Sequence, residues 1–118
     1  MELKKLLENK PKLKENLAMY ILKTGIFNDL LKTNRNSAQQ IVLMKLEEKI
    51  FSMNETEIIE YFDTTNLISQ IAPNIGKLCS FRVYIWKDGI EIYVTPNGFK
   101  TRKEACIHCA QKLIELSN

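Results

Sequence analysis

Asp88-Gly89 lies between two alternating segments, Phe81-Arg82-Val83-Tyr84-Ile85-Trp86 and Ile90-Glu91-Ile92-Tyr93-Val94-Thr95. That dipeptide is the preferred pair for a two-residue type I′ turn, where both central positions need a positive φ. The segments should therefore pair as an antiparallel hairpin whose register the turn sets. Ile85 is expected opposite Ile92, and Val83 opposite Val94. Tyr84 then faces Tyr93, Trp86 faces Glu91 and Arg82 faces Thr95. Phe81, Val83, Ile85, Ile92 and Val94 make one face, which reads as core. Arg82, Tyr84, Trp86, Glu91, Tyr93 and Thr95 make the other. That amphipathic face is either covered by a second layer of helices or is a binding surface.

Pro96-Asn97-Gly98 turns the chain after the hairpin, and Thr101-Arg102-Lys103-Glu104 reads as a capping box that opens a last helix. At 100° per residue, Ala105, Cys106, Cys109, Ala110, Leu113, Ile114 and Leu116 cluster on one side of it. His108 falls on the other, solvated side.

Upstream, helical spacing dominates. Leu3, Leu6 and Leu7 form a short stripe. Pro11 opens a helix carrying Leu13, Leu17, Tyr20 and Ile21, with Gly25 at its end. A second helix is expected from a Ser37–Gln40 capping box to Phe51 or Ser52, with Ile41, Leu43, Met44, Leu46 and Ile50 as its apolar side. Asn54 and Glu57 mark another helix start. Thr64 or Thr65 is expected to cap one more short helix, ending at Ile71 before Pro73. The fold class is therefore α+β in a single domain over 1–118. Residues 1–75 are mainly helical, and 78–118 form a strand-strand-helix unit in which the helix packs on an antiparallel hairpin. A third strand around Lys77 to Ser80 is left open.

The 118 residues suffice for one sizeable core. An excess of lysine over arginine, with abundant Ile and Asn, matches an AT-rich genome such as that of a low-GC bacterium or its phage. No apolar run reaches the roughly 20 residues that span a membrane. The charged N-terminus does not read as a secretory signal. Three cysteines, Cys79, Cys106 and Cys109, make no disulfide framework, so a cytoplasmic location without membrane attachment is expected.

Cys106-Ile107-His108-Cys109 resembles a metal or nucleophile site, but a helix argues against it. His108 lies about 200° around the wheel from Cys106, so it cannot join both thiols on one metal. Small thiols packed between helix and sheet are the expectation. Glu55, Glu57, Glu60 and Asp63 read as a solvated helix face. There is no phosphate-binding glycine loop and no Ser-His-Asp set. No cofactor, no metal and no catalytic residue is assigned, and the chain is not expected to be an enzyme.

Lys100, Arg102 and Lys103 stand at the start of the last helix. Backbone N–H groups and the helix dipole there favour an anion, so cations oppose the dipole and local stability does not explain them. A phosphate or an acidic partner would.

The run from Phe81 through Gly98-Phe99-Lys100-Thr101-Arg102-Lys103-Glu104-Ala105 to Leu116 resembles the C-terminal half of a double-stranded-RNA-binding domain. That half is two strands, a glycine turn and a helix opened by a Lys-Lys-x-Ala-Lys type motif. Arg102, Lys103 and Ala105 match its start, and Cys106 replaces the third lysine. The resemblance implies that Arg102 and Lys103 contact phosphates across a groove. The family's preceding helix and first strand are not legible upstream.

Two readings follow. The leading one is a small non-catalytic protein-binding module, an inhibitor or accessory factor, that engages a protein partner through Arg82, Tyr84, Trp86 and Tyr93, residue types that dominate interface energetics. The alternative is nucleic-acid binding, with Lys100, Arg102 and Lys103 on phosphates and the aromatic residues stacked on bases. The oligomeric state is not legible.

Overall fold

The computed structural model describes residues 2–28, 36–73 and 80–117, the side chains of 36–40 excepted. The side chains of the expected Ser37–Gln40 cap, the Lys77–Cys79 part of the segment left open for a third strand, and Cys79 itself lie outside the described residues. The chain divides into two compact units, Glu2–Met53 and Asn54–Ser117.

The first unit holds α1 (Leu3–Leu7), α2 (Pro11–Lys23) and α3 (Asn36–Phe51). Pro11 occupies the first turn of α2, where its missing N–H costs nothing. Leu13, Leu17 and Ile21 are buried, as their spacing requires. Helix α2 packs on α1 and on α3. Apolar and polar residues alternate round α3 without a single apolar stripe, so packing chooses its inner face. Val42, Leu46 and Ile50 are buried, whereas Ile41, Leu43 and Met44 face solvent, a correction to the expected apolar side.

The second unit runs α4 (Glu55–Phe62), β1 (Leu67–Pro73), β2 (Phe81–Lys87), β3 (Ile90–Val94) and α5 (Arg102–Leu116). Asn54 and Glu57 form the expected reciprocal cap. The Asn54 side chain accepts the Glu57 N–H at 2.9 Å, and the Asn54 N–H donates to the Glu57 carboxylate at 3.3 Å.

β1 corrects the sequence reading, which has a helix there. The Thr64 and Thr65 hydroxyls do not cap a new helix. They donate backward to the Tyr61 and Phe62 carbonyls at 2.6 and 2.7 Å, and so close α4. Leu67 to Pro73 then pairs antiparallel with β2, Leu67 opposite Lys87 and Ile71 opposite Val83. A short apolar run fits either period, and the partner strand decides it.

The sheet is antiparallel in the order β1-β2-β3. Asp88 and Gly89 adopt φ of 52° and 80°, the conformation a type I′ turn demands. Lys87 pairs with Ile90 and Trp86 with Glu91 as expected. The register then shifts, and Ile85 faces Tyr93 instead of Ile92, with Tyr84 opposite Val94. This bulge carries one extra residue in β3 and flips every later side chain to the other face. Tyr93 and Thr95 turn inward, while Ile92 and Val94 turn outward, 43% and 36% exposed.

Thr95 helps hold the shifted register. Its hydroxyl accepts the Val83 N–H at 3.1 Å, and its own N–H donates to the Val83 carbonyl at 3.1 Å. Helix α5 packs on β1 and β2, and α4 packs on α5 and β1, so both helices cover one face. The core of this unit holds Ile58, Val83, Ile85, Cys109, Leu113 and Ile114. On the opposite face of the sheet Ile68, Gln70, Ile92 and Val94 are exposed, so that face is open among the described residues of this unit.

Candidate functional site

The start of α5 is held from two sides. The Thr101 hydroxyl accepts the Glu104 N–H at 3.1 Å, which caps the helix. Just before it, Phe99 bridges to Phe81 through paired backbone bonds of 2.8 and 2.7 Å. Gly98 makes that approach feasible, because a Cβ there would run into the Ser80 hydroxyl. Lys100, Arg102 and Lys103 are thus carried on a fixed turn, all exposed. The Arg102 guanidinium lies 5.0 Å from the centre of the Phe81 ring. None of the three pairs with a carboxylate among the described residues.

His108 belongs to this end of the molecule, and its solvated placement is corrected. It is half-buried, with its ring 4.9 Å from Phe99 and 6.0 Å from Tyr93. Its Nε2 and the Tyr93 hydroxyl share a hydrogen bond of 2.8 Å. Burial, seconded by the Lys112 ammonium, lowers its pKa, against a small opposing pull from Glu115. The Lys112 ammonium sits 4.7 Å over the Tyr93 ring. Tyr93 is therefore a packing residue between β3 and α5 and does not join the aromatic face assigned to it. The inward turn follows from the bulge, which no local pattern in β3 announces.

Arg82, Tyr84 and Trp86 do lie on one face, the open one. The Tyr84 and Trp86 rings stack at 5.9 Å with 18° between planes, and the Arg82 guanidinium lies 6.0 Å over Tyr84. Arg82 donates through Nε and Nη2 to the Thr95 carbonyl at 3.1 and 2.8 Å. Ile68 lies opposite Trp86, and Gln70 opposite Tyr84. The aromatic pair and the basic helix start are thus on opposite sides of the sheet.

Comparison with protein-family models, with curated proteins and with solved structures finds no match.

Two cysteines, Cys106 and Cys109, are among the described residues, and both are free thiols. Cys109 is wholly buried, and burial pushes its thiol up to about 11, past a small opposing hydrogen bond from Ser69. Burial also raises Cys106, with Arg102 pulling the other way. A thiol held protonated is a poor nucleophile and a poor metal ligand. Among the described residues no three His, Cys, Asp or Glu side chains gather as metal ligands. Among them, too, no helix is long and apolar enough to cross a membrane.

Proposed function

We propose that the Asn54–Ser117 unit binds duplex RNA through the basic start of α5. One observation carries the reading: a helix and a strand precede the hairpin, giving the order α4-β1-β2-β3-α5. Both helices lie on one face of an antiparallel sheet. The sequence resemblance to double-stranded-RNA-binding domains covered only the last two strands and helix. The order of elements supplies a helix and a first strand in the places that family has them.

The positions of the cations support the same reading. Lys100, Arg102 and Lys103 project from a helix N-terminus whose dipole adds to their field. Phosphates are the groups such a constellation neutralises. Base stacking is disfavoured as a cooperating contact, because Tyr84 and Trp86 are on the far side of the sheet. A partner recognised by backbone and shape, as duplex RNA is, fits cations without an aromatic platform.

The test is a titration of the full chain with a duplex of about 16 base pairs and with its separated strands, at several salt concentrations. The duplex is expected to bind more tightly, and affinity to fall with salt. Arg102→Glu combined with Lys103→Glu should weaken binding by at least about tenfold and flatten the log-log salt slope by roughly 0.7 to 0.9 per lost contact. Salt-insensitive binding, or equal affinity for the double variant, would refute the proposal.

A further inference from the structure

We infer that the open face of the sheet is an interface between two copies of this chain. Its residues form three rows across the strands. Ala72 and Arg82 make the first, Gln70, Tyr84 and Val94 the second, and Ile68, Trp86 and Glu91 the third, with Ile92 beside it at the bulge. Ile68, Ile92 and Val94 are 47%, 43% and 36% exposed, around the stacked Tyr84 and Trp86 rings. Single exposed apolar residues are ordinary, but a contiguous apolar patch marks an interaction surface.

The charges on the face identify the occupant. Among the described residues there are two, Arg82 in the first row and Glu91 in the third. At 3.3 Å per residue along β2, those rows are about 13 Å apart. Neither side chain has an ion-pair partner among the described residues. Consider a two-fold axis that lies between two such faces, perpendicular to the strands. It carries the first row of one copy onto the third row of the other. Each Arg82 then meets Glu91 of the second copy, twice by symmetry, with the apolar rows between them. Such a pattern is self-complementary, as an isologous interface must be. Stacked sheets lie about 10 Å apart, a gap that an arginine spans.

A nucleic acid fits the same face poorly. Glu91 would repel phosphates, whereas it complements Arg82 of a second copy, whose guanidinium the Thr95 carbonyl holds in place while leaving Nη1 free to donate. The face is also small. Three strands at about 4.8 Å by some six residues at 3.3 Å give on the order of 300 Å² of plan area. A standard interface buries about 800 Å² per partner. The dimer is accordingly weak and depends on protein concentration.

Sedimentation velocity of the full chain from about 5 to about 500 μM tests this. The sedimentation coefficient should rise with concentration, and the emission of Trp86, the only tryptophan, should shift to the blue. Glu91→Arg should weaken association by at least about tenfold, and Arg82→Glu combined with Glu91→Arg should restore it. A monomer at every concentration would overturn the inference, as would a folded double variant that stays monomeric. Should Arg82→Glu fail to fold for loss of its bonds to Thr95, exposed Ile68→Glu decides together with Glu91→Arg. Dimers that persist in both variants would overturn the inference. So would association that appears only when RNA is added.

Discussion

Replacing Tyr93 with Phe removes one hydroxyl and little volume. The structure assigns that hydroxyl a half-buried bond of 2.8 Å to His108. A hydrogen bond of this kind contributes about 1 kcal/mol net, because unfolding exchanges it for water. The unit that contains it has some sixty residues, for which about 1 kcal/mol shifts Tm by roughly 4 to 8 °C. The expected loss for Tyr93→Phe is therefore a few degrees in a thermal melt of the full chain. In the unbulged register Tyr93 would be on the open face, where the same substitution changes stability by less than about 0.5 kcal/mol. A double-mutant cycle with His108→Gln separates the bond from general packing. The coupling should be about 0.5 to 1.5 kcal/mol. Additive effects of the two substitutions would refute the bulged register and the inward placement of Tyr93.

His108 also sets a pH dependence. Its folded pKa lies below its unfolded value of 6.5, so between the two the unfolded chain holds more protons. Stability is full above about 6.5 and should fall as the pH drops below it, and His108→Gln should flatten that fall in urea melts. Asn54→Ala should cost about 1 kcal/mol of stability in the same assay, since it leaves the Glu57 amide without its cap. Cys109, with its thiol near 11, carries only about one part in ten thousand thiolate at pH 7. Peptide-resolved thiol labelling should leave it unmodified until the protein is unfolded; rapid labelling in the folded state would contradict its burial.

Local chemistry made part of the fold legible from the sequence. Asp88-Gly89 announced the hairpin turn, and Asn54 with Glu57 announced the start of α4, because each motif is complete within four residues. The buried face of α5 followed from its period. β1 was hidden because Leu67 to Ala72 satisfies a helical stripe as well as a strand, and only pairing with β2 discriminates. The bulge was hidden for a similar reason. It is held by Thr95 bonding Val83 and by Tyr93 reaching His108, contacts across 12 and 15 residues. In the candidate site, the positions of Lys100, Arg102 and Lys103 were legible because a capped helix start fixes them. The aromatic face was only half legible. Arg82, Tyr84 and Trp86 share a face on β2, but Tyr93 leaves it at the register shift, and Ile68 joins it from a strand the sequence had not shown.

Amide chemical-shift mapping of the full chain during titration with a duplex RNA of about 16 base pairs tests whether the start of α5 is the RNA-binding surface. Shifts are expected to concentrate from Lys100 to Cys106, with the amides of Ile68, Tyr84, Trp86 and Val94 unmoved at fixed protein concentration. Shifts centred on those four residues, with the start of α5 silent, would contradict that assignment.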